Sequence, residues 1–200
     1  VKEIVLASSN PGKVREINQL LATLDLHVQP QSEFGVIDAE ETGLTFVENA
    51  ILKARNAAQH TGLPAIADDS GIEVDALNGA PGIYSARYAG SNASDQANLE
   101  KLLAELDGLP EAKRSARFQC LMVFMEHAND PTPVICQGTW EGRILPAARG
   151  DNGFGYDPVF YVPSHDCSSA ELPADVKNAL SHRGQALRQL VTALQHYRGQ

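Results

Sequence analysis

Three features of the sequence predict an α/β fold. An apolar run passes through a tight loop into an amphipathic stretch, further long stretches carry apolar residues at helical spacing, and short alternating runs are bounded by turn residues. The first feature is Glu3-Ile4-Val5-Leu6-Ala7, then Ser8-Ser9-Asn10-Pro11-Gly12-Lys13, then Val14, Ile17, Leu20, Leu21 and Leu24. It reads as strand, loop, helix. Helix amino termini favour anions and Lys13 adds a full charge, so Ser8 to Lys13 form a candidate phosphate cradle. It is not a P-loop, because Val14 stands where Ser or Thr is required and no glycine lies five residues before Gly12. The plainer reading is a strand-to-helix connection with a solvated lysine.

A second helix is expected after Glu40-Glu41-Thr42-Gly43. Thr45 and Glu48 fit a capping box, and Phe46, Val47, Ala50, Ile51, Ala54, Ala57 and Ala58 fill one arc. Asn49, Lys53, Asn56 and His60 form a polar stripe beside that arc, from which Lys53 either reaches into a cleft or snorkels. Pro64–Val74 then reads Pro-Ala-Ile-Ala-Asp-Asp-Ser-Gly-Ile-Glu-Val. We read it as a strand edge carrying two carboxylates, turned at Ser70-Gly71 into a hairpin. Acids so placed can hold a metal ion or act as a general base, or simply serve an acidic surface turn.

Further on, Ser94 caps a helix carrying Leu99, Leu102, Leu103 and Leu106, and Phe118–Phe124 and Val134–Trp140 read as paired strands. In Gly150-Asp151-Asn152-Gly153-Phe154-Gly155-Tyr156-Asp157-Pro158, three glycines and a proline surround two aromatics and two acids ahead of a strand at Val159–Val162. The expectation is exposed aromatic faces on which a base can stack; a loop that packs its own aromatics is the alternative. Lys177 lies in a short helical stretch after Pro173. Ser181 then caps a long helix marked by Leu187, Leu190, Val191 and Leu194, which puts His182 and Arg183 in its first turn. Cations there oppose the helix dipole at about 0.3–1 kcal/mol each, so their placement calls for an anion or an acceptor-rich ligand.

The totals narrow the classes. With 43% hydrophobic and 20% charged residues, the 200-residue chain can bury a sizeable core. Its net charge of −9 argues against wrapping nucleic acid. No stretch approaches the roughly 20 apolar residues of a membrane helix, and the chain opens on a strand-like run rather than a signal peptide, so no membrane association and a cytoplasmic location are expected. Cys120, Cys136 and Cys167 suggest neither disulfides nor zinc, and the first two are expected as reduced thiols in core strands. No repeat or linker divides residues 1–200, which read as one domain.

Taken together, Lys13, Lys53, the acids at 40, 41, 68 and 69, the aromatic glycine loop, Lys177 and Arg183 are the parts of a nucleoside triphosphate site. The motifs that carry them run in order along the chain: Ser8–Lys13, Glu40–Phe46 with Glu48-Asn49-Ala50 and Lys53, Ala67–Gly71, Gly79–Tyr88, Phe154–Pro158 and Ser181–Arg183. In this the sequence resembles the inosine/xanthosine triphosphate pyrophosphatase family in its bacterial form. These are house-cleaning enzymes that hydrolyse non-standard purine triphosphates to monophosphate and pyrophosphate.

The resemblance implies a mixed β-sheet flanked by helices, two lobes with a central nucleotide-binding cleft, a homodimer, and Mg²⁺ as cofactor. It also implies roles. Ser8, Ser9, Asn10, Pro11, Gly12 and Lys13 bind the triphosphate with Lys53. Asp69 is the catalytic residue and a metal ligand, and Glu40 is a second metal contact. Ser70 touches substrate; Phe154, Gly155, Tyr156, Asp157 and Lys177 line the base and sugar end; His182 and Arg183 recognise the purine. Ser9 stands where the family often has glycine. Asp68 receives no role, since strand neighbours point to opposite faces. Two rivals differ in class. Asp69-Ser70-Gly71 also matches the aspartic protease signature, which needs a second such carboxylate, and the same pocket could serve a non-catalytic purine nucleotide sensor.

Overall fold

The computed structural model describes residues 2–22 and 26–197; Leu24, which the helical spacing included, lies outside them. The chain opens with β1 (Lys2–Leu6), α1 (Pro11–Leu21) and β2 (Leu26–Pro30), the last of which the sequence reading did not mark. It continues through α2 (Phe46–Thr61), β3 (Ala65–Val74) and α3 (Asp95–Glu105). Then come the long strands β4 (Ser115–Met125) and β5 (Val134–Ile144), the short strands β6 (Phe160–Val162) and β7 (Cys167–Ser168), and the helices α4 (Ala174–Leu180) and α5 (His182–Tyr197). Among the described residues the strands form one seven-stranded sheet in the order β2-β1-β3-β4-β5-β6-β7. It is mixed: β1 runs parallel to β2 and β3, whereas β6 is antiparallel to β5 and β7. The edge position of β2 suits Pro30, which has no N–H for a further ladder.

Local chemistry sets the helix ends. Asn10 caps α1 by accepting from the Gly12 and Lys13 amides, with Pro11 in the first turn. Thr45 caps α2 by accepting from Glu48 N, while the Glu48 carboxylate accepts from Leu44 N and Thr45 Oγ1, as the capping-box reading anticipated. Gly62 ends α2 at φ 70°, a left-handed conformation that glycine adopts without steric cost. Ser94 caps α3 as expected.

Contacts group the chain into two compact units, and the boundaries between them fall within β3, β4 and β5 and after the first residue of α5. In the first unit, strand parity sorts side chains onto two faces. Ile4, Leu6, Ile66, Met122 and Phe124 pack on one face with Ile17 of α1 and Leu187, Leu190 and Leu194 of α5. Val5, Ala7, Ala65, Ala67, Val123 and Met125 face the other way, onto Ala50, Ala54, Ala57 and Ala58 of α2. The alanine stripe lets that helix lie close to the sheet. Cys120 and Cys136 are buried and free, as expected.

The second unit has its own core of Ile72, Val74, Leu99, Leu102, Leu106, Phe118, Trp140, Phe160 and Val162. Residues of opposite parity carry charge instead: Arg117 binds Asp75 and Glu141, each at 2.9 Å. Arg114 is 4% exposed and donates to three carbonyls, Ile144 at 2.8 Å, Leu106 at 2.7 Å and Leu145 at 3.0 Å. One guanidinium thereby ties the end of α3 to the chain leaving β5.

The expected hairpin at Ser70-Gly71 is not found. Residues 65–74 form one unbroken strand with eight of its ten residues buried, and Gly71 is not in the left-handed region. Turn chemistry misled the reading because adjacent aspartates rarely sit inside a buried strand. Here partner cations make that possible, and the turn comes later, at Gly79 (φ 88°), whose N–H donates to Val74 O.

Replacing Arg114 by Met should strand three buried carbonyls. We expect Arg114→Met to lower the unfolding free energy by about 3 kcal/mol, read as a lower urea midpoint; an unchanged midpoint would contradict this account.

Candidate active site

The predicted residues fall into two groups, one in each unit. In the first, parity decides the partners. Asp68 shares the face of Ile66, toward α1 and α5, and its carboxylate pairs with Lys13 Nζ of α1 at 2.8 Å and Arg183 Nε of α5 at 3.7 Å. Asp69 shares the face of Ala67, toward α2, where Lys53 Nζ donates to its Oδ1 at 2.9 Å. That ammonium also binds Glu41 Oε1 at 3.1 Å. The stripe on α2 thus delivers Lys53 into a charged cluster.

The electrostatics differ sharply between the neighbours. Burial pushes the Asp68 carboxyl upward, but the charges of Lys13, Arg183 and Lys53 outweigh it and hold the group well below the usual carboxylate range. For Asp69 burial wins over Lys53, and its carboxyl sits above the ordinary value. Burial opposes the Lys53 charge, yet Asp69, Asp68 and Glu41 together raise its pKa, so it stays an ammonium. Arg183 also binds Glu16 of α1 at 2.9 Å, so two helix starts share one ion-pair network. Asp69 Oδ2 is buried and has no hydrogen-bond partner among the described residues.

The loop from Ser8 to Lys13 is partly self-satisfied. Ser8 Oγ accepts from Asn10 N, and Asn10 Oδ1 holds the Gly12 and Lys13 amides. Those two N–H groups are therefore engaged within the loop, a departure from the simple picture of a helix start open to an anion. Ser9 Oγ donates to Asp38 at 2.8 Å, and buried Gln31 donates to the same carboxylate.

Glu40 and Glu41 were both possible acids, with Glu40 the expected metal contact. The structure places Glu41 on the Lys53 ammonium, while Glu40 is exposed. Among the described residues no three Asp, Glu, His or Cys side chains cluster as a ready-made metal site. A hard cation nonetheless fits here: Mg²⁺ takes one or two carboxylates with water and phosphate oxygens, and Asp69 offers a buried carboxylate oxygen without a donor.

The second group lies in the second unit. Asp157, 3% exposed, accepts from Lys177 Nζ at 2.7 Å and Ser169 Oγ at 2.9 Å. Its Oδ2 also accepts from Phe154 N at 2.9 Å, which fixes the glycine loop, and Gly153 at φ +78° leaves no room for a Cβ beside that carboxylate. Gly155 N donates to Asp95. Phe154 is 36% exposed, with Lys177 Nζ 5.2 Å from its ring centroid. The exposed aromatic face expected of this loop is therefore that of Phe154. Tyr156 packs in the core instead and donates through its hydroxyl to Ser85 O. Ser70 is half-buried on β3. His182, 5% exposed, stacks on Phe118.

Adjacent in sequence, His182 and Arg183 belong to different units and have different surroundings. Sequence reasoning missed Glu16, Asp38 and the aromatics behind His182. The alternation of Phe118 and Trp140 along their strands was a usable signal for the aromatics; no pattern pointed to Glu16 or Asp38.

Comparison with known proteins converges. A model of the Ham1 family matches residues 4–193. The dITP/XTP pyrophosphatase of Vibrio parahaemolyticus is 64% identical over 194 residues, covering 97% of either chain. The protein of that name from Yersinia pseudotuberculosis is 63% identical, over 97% of this chain and 98% of its own. Among solved structures, a HAM1 protein from Coxiella burnetii is 57% identical with a TM-score of 0.93, covering 98% of this chain and all of that one. The Ham1 protein of Staphylococcus aureus is 47% identical with a TM-score of 0.88, over 98% of this chain and 100% of its own. With its family motifs in order and the mixed sheet that carries them matched along nearly its whole length, the chain belongs to the Ham1 family.

Proposed function

We propose that the protein hydrolyses non-standard purine nucleoside triphosphates, ITP, dITP and XTP, to the monophosphate and pyrophosphate. The relatives named dITP/XTP pyrophosphatase support this reading, and the observation that carries it is Asp69, one carboxylate oxygen held by Lys53 and the other buried without a donor. Asp69 with Glu41 would hold Mg²⁺, which when bound supplies charge neutralisation and Lewis acidity toward the phosphates. Lys53 fixes the Asp69 carboxylate through Oδ1 and leaves Oδ2 without a donor. A carboxylate oxygen has more than one lone pair, which lets the same group orient the attacking water and accept its proton.

Attack at the α-phosphorus releases pyrophosphate. Lys13, anchored on Asp68 by one of its three donors, keeps the others for phosphate oxygens, alongside Ser8 to Gly12. In the second unit Phe154 offers a stacking face, Lys177 and Asp157 brace it, Ser70 touches the substrate, and His182 donates to the purine 6-oxo group. Adenine presents a donor there, which a donor-lined site rejects. Arg183 serves this selection through the Asp68 network. A homodimer, on the family resemblance alone, and a cytoplasmic location complete the reading. The sensor alternative fails if pyrophosphate is released, and the protease alternative already fails on the single Asp-Ser-Gly and the mixed α/β sheet.

Two outcomes are expected. Asp69→Asn should keep the wild-type circular dichroism spectrum and Tm within a few degrees but lose at least about 10³-fold in pyrophosphate release from ITP, a loss on the scale of a removed reacting group; near wild-type release would reject the assignment. The second concerns pH. A proton on Asp69 competes with the cation, and burial raises this group above the ordinary carboxylate range. The apparent activation constant for Mg²⁺ should therefore weaken as pH falls, beginning above the ordinary aspartate value of about 4. A constant that stays flat down to that value would contradict the raised pKa.

A further inference from the structure

His182 opens α5 with its side chain buried. The last torsion of a histidine side chain is soft and roughly two-fold, so the helix does not by itself decide where the ring nitrogens point. Its neighbours decide. The Phe118 ring of β4 lies flush on the imidazole, centroids 4.7 Å apart and planes 11° apart. Trp140 of β5 flanks both rings, 6.4 Å and 20° from His182 and 6.3 Å and 28° from Phe118. Phe160 of β6 wedges both rings at a tilt, 4.5 Å from Phe118 and 5.1 Å from Trp140. Phe118 and Trp140 are 7% and 6% exposed, so neither ring has room to turn freely.

Ring N–H bonds lie in the imidazole plane. A face-stacked imidazole therefore donates along a direction set by the ring it rests on, and here that ring is held by two strands and a third aromatic. We infer that Phe118, flanked by Trp140, is a positioning residue for base selection: it fixes the plane of His182 and so aims the hydrogen bond that separates a 6-oxo from a 6-amino purine. The inference rests on the base-recognition role given to His182 above. Phe118 acts through His182, and its removal should cost discrimination more than general turnover.

The test compares kcat/KM for ITP and ATP in the wild type, Phe118→Leu, Phe118→Tyr and His182→Gln. Phe118→Leu should lose about tenfold on ITP, mainly through KM, and leave ATP unchanged, so that the ITP-over-ATP ratio falls about tenfold, the scale of one aromatic pair. Phe118→Tyr, which keeps the ring, should restore most of it. Inhibition by pyrophosphate, which has no base, should be the same in the wild type and both Phe118 variants. Equal losses on ITP and ATP, or weakened pyrophosphate inhibition, would show a merely structural role and overturn the inference. His182→Gln separates the two readings: a full ratio in that variant removes the role of His182 itself, whereas a ratio lost there but kept in Phe118→Leu overturns the stack alone. Should Phe118→Leu fail to fold, the wild type still decides. Ring currents from Phe118 and Trp140 must shift the His182 ring-proton NMR signals upfield, assigned by their loss in His182→Gln, and signals at ordinary imidazole positions overturn the proposal.

Discussion

Two adjacent carboxylates inside one buried strand are the constraint on which the first unit depends. An isolated buried carboxylate is costly enough that it normally neutralises, and removing one partner of a buried pair typically costs about 3–5 kcal/mol. The chain meets this by parity. Because Asp68 and Asp69 point to opposite faces, α1 and α5 must bring Lys13 and Arg183 to one, and α2 must bring Lys53 to the other. Three helices are thereby registered against β3 by charge as well as by apolar contact. The same arithmetic accounts for the burial of Asp68: it offsets two cations placed at helix starts, where the dipole opposes them.

The second unit solves a related problem with one carboxylate. Asp157 collects Lys177, Ser169 and the Phe154 amide, so the loop that presents the Phe154 ring is fixed from beneath. Glycines in that loop are needed where the backbone passes the carboxylate. Aromatic packing does the rest, with Tyr156 drawn into the core and His182 held in a stack. In both units a partly exposed group, Lys13 or Phe154, is held in place by one that is almost fully buried.

How much of this was legible in the sequence follows from how local each signal is. Caps at Thr45 and Ser94, the alanine stripe of α2 and the long helix after Ser181 are written in nearest neighbours, and they read correctly. The unbroken course of β3 was not legible, because Asp-Asp-Ser-Gly carries turn chemistry in isolation and only the distant Lys13, Lys53 and Arg183 make burial tolerable. The same distance hides Glu16, which lies 167 positions from Arg183. That Glu41 and not Glu40 meets Lys53 depends on where a loop turns, and no spacing rule fixes that. The edge strand β2 was missed because Leu-His-Val-Gln-Pro has neither a long apolar run nor a bounding glycine, and its pairing with β1 supplies what its own propensity does not.

The balance of charge in the first unit bears on how an acidic protein can take a polyanion. Lys13, Lys53 and Arg183 are matched in this network by Asp68, Asp69, Glu41 and Glu16, three cations against four carboxylates. Such a cluster is preorganised but does not by itself attract a triphosphate, and the net charge of −9 does not help at long range. At about 4 Å and an effective dielectric near 20, one unmatched charge is worth on the order of 4 kcal/mol, so a single divalent cation on Asp69 reverses the sign of the site. On the proposed reading, affinity for the nucleotide is conditional on the cation, and the lysines, already charged and already oriented by Asp68 and Asp69, need no reorganisation when the phosphates arrive. Positive charge from Lys13, Arg183 and Lys53 surrounds Asp68, whereas Asp69 pairs with Lys53 on the face of β3 that looks toward α2.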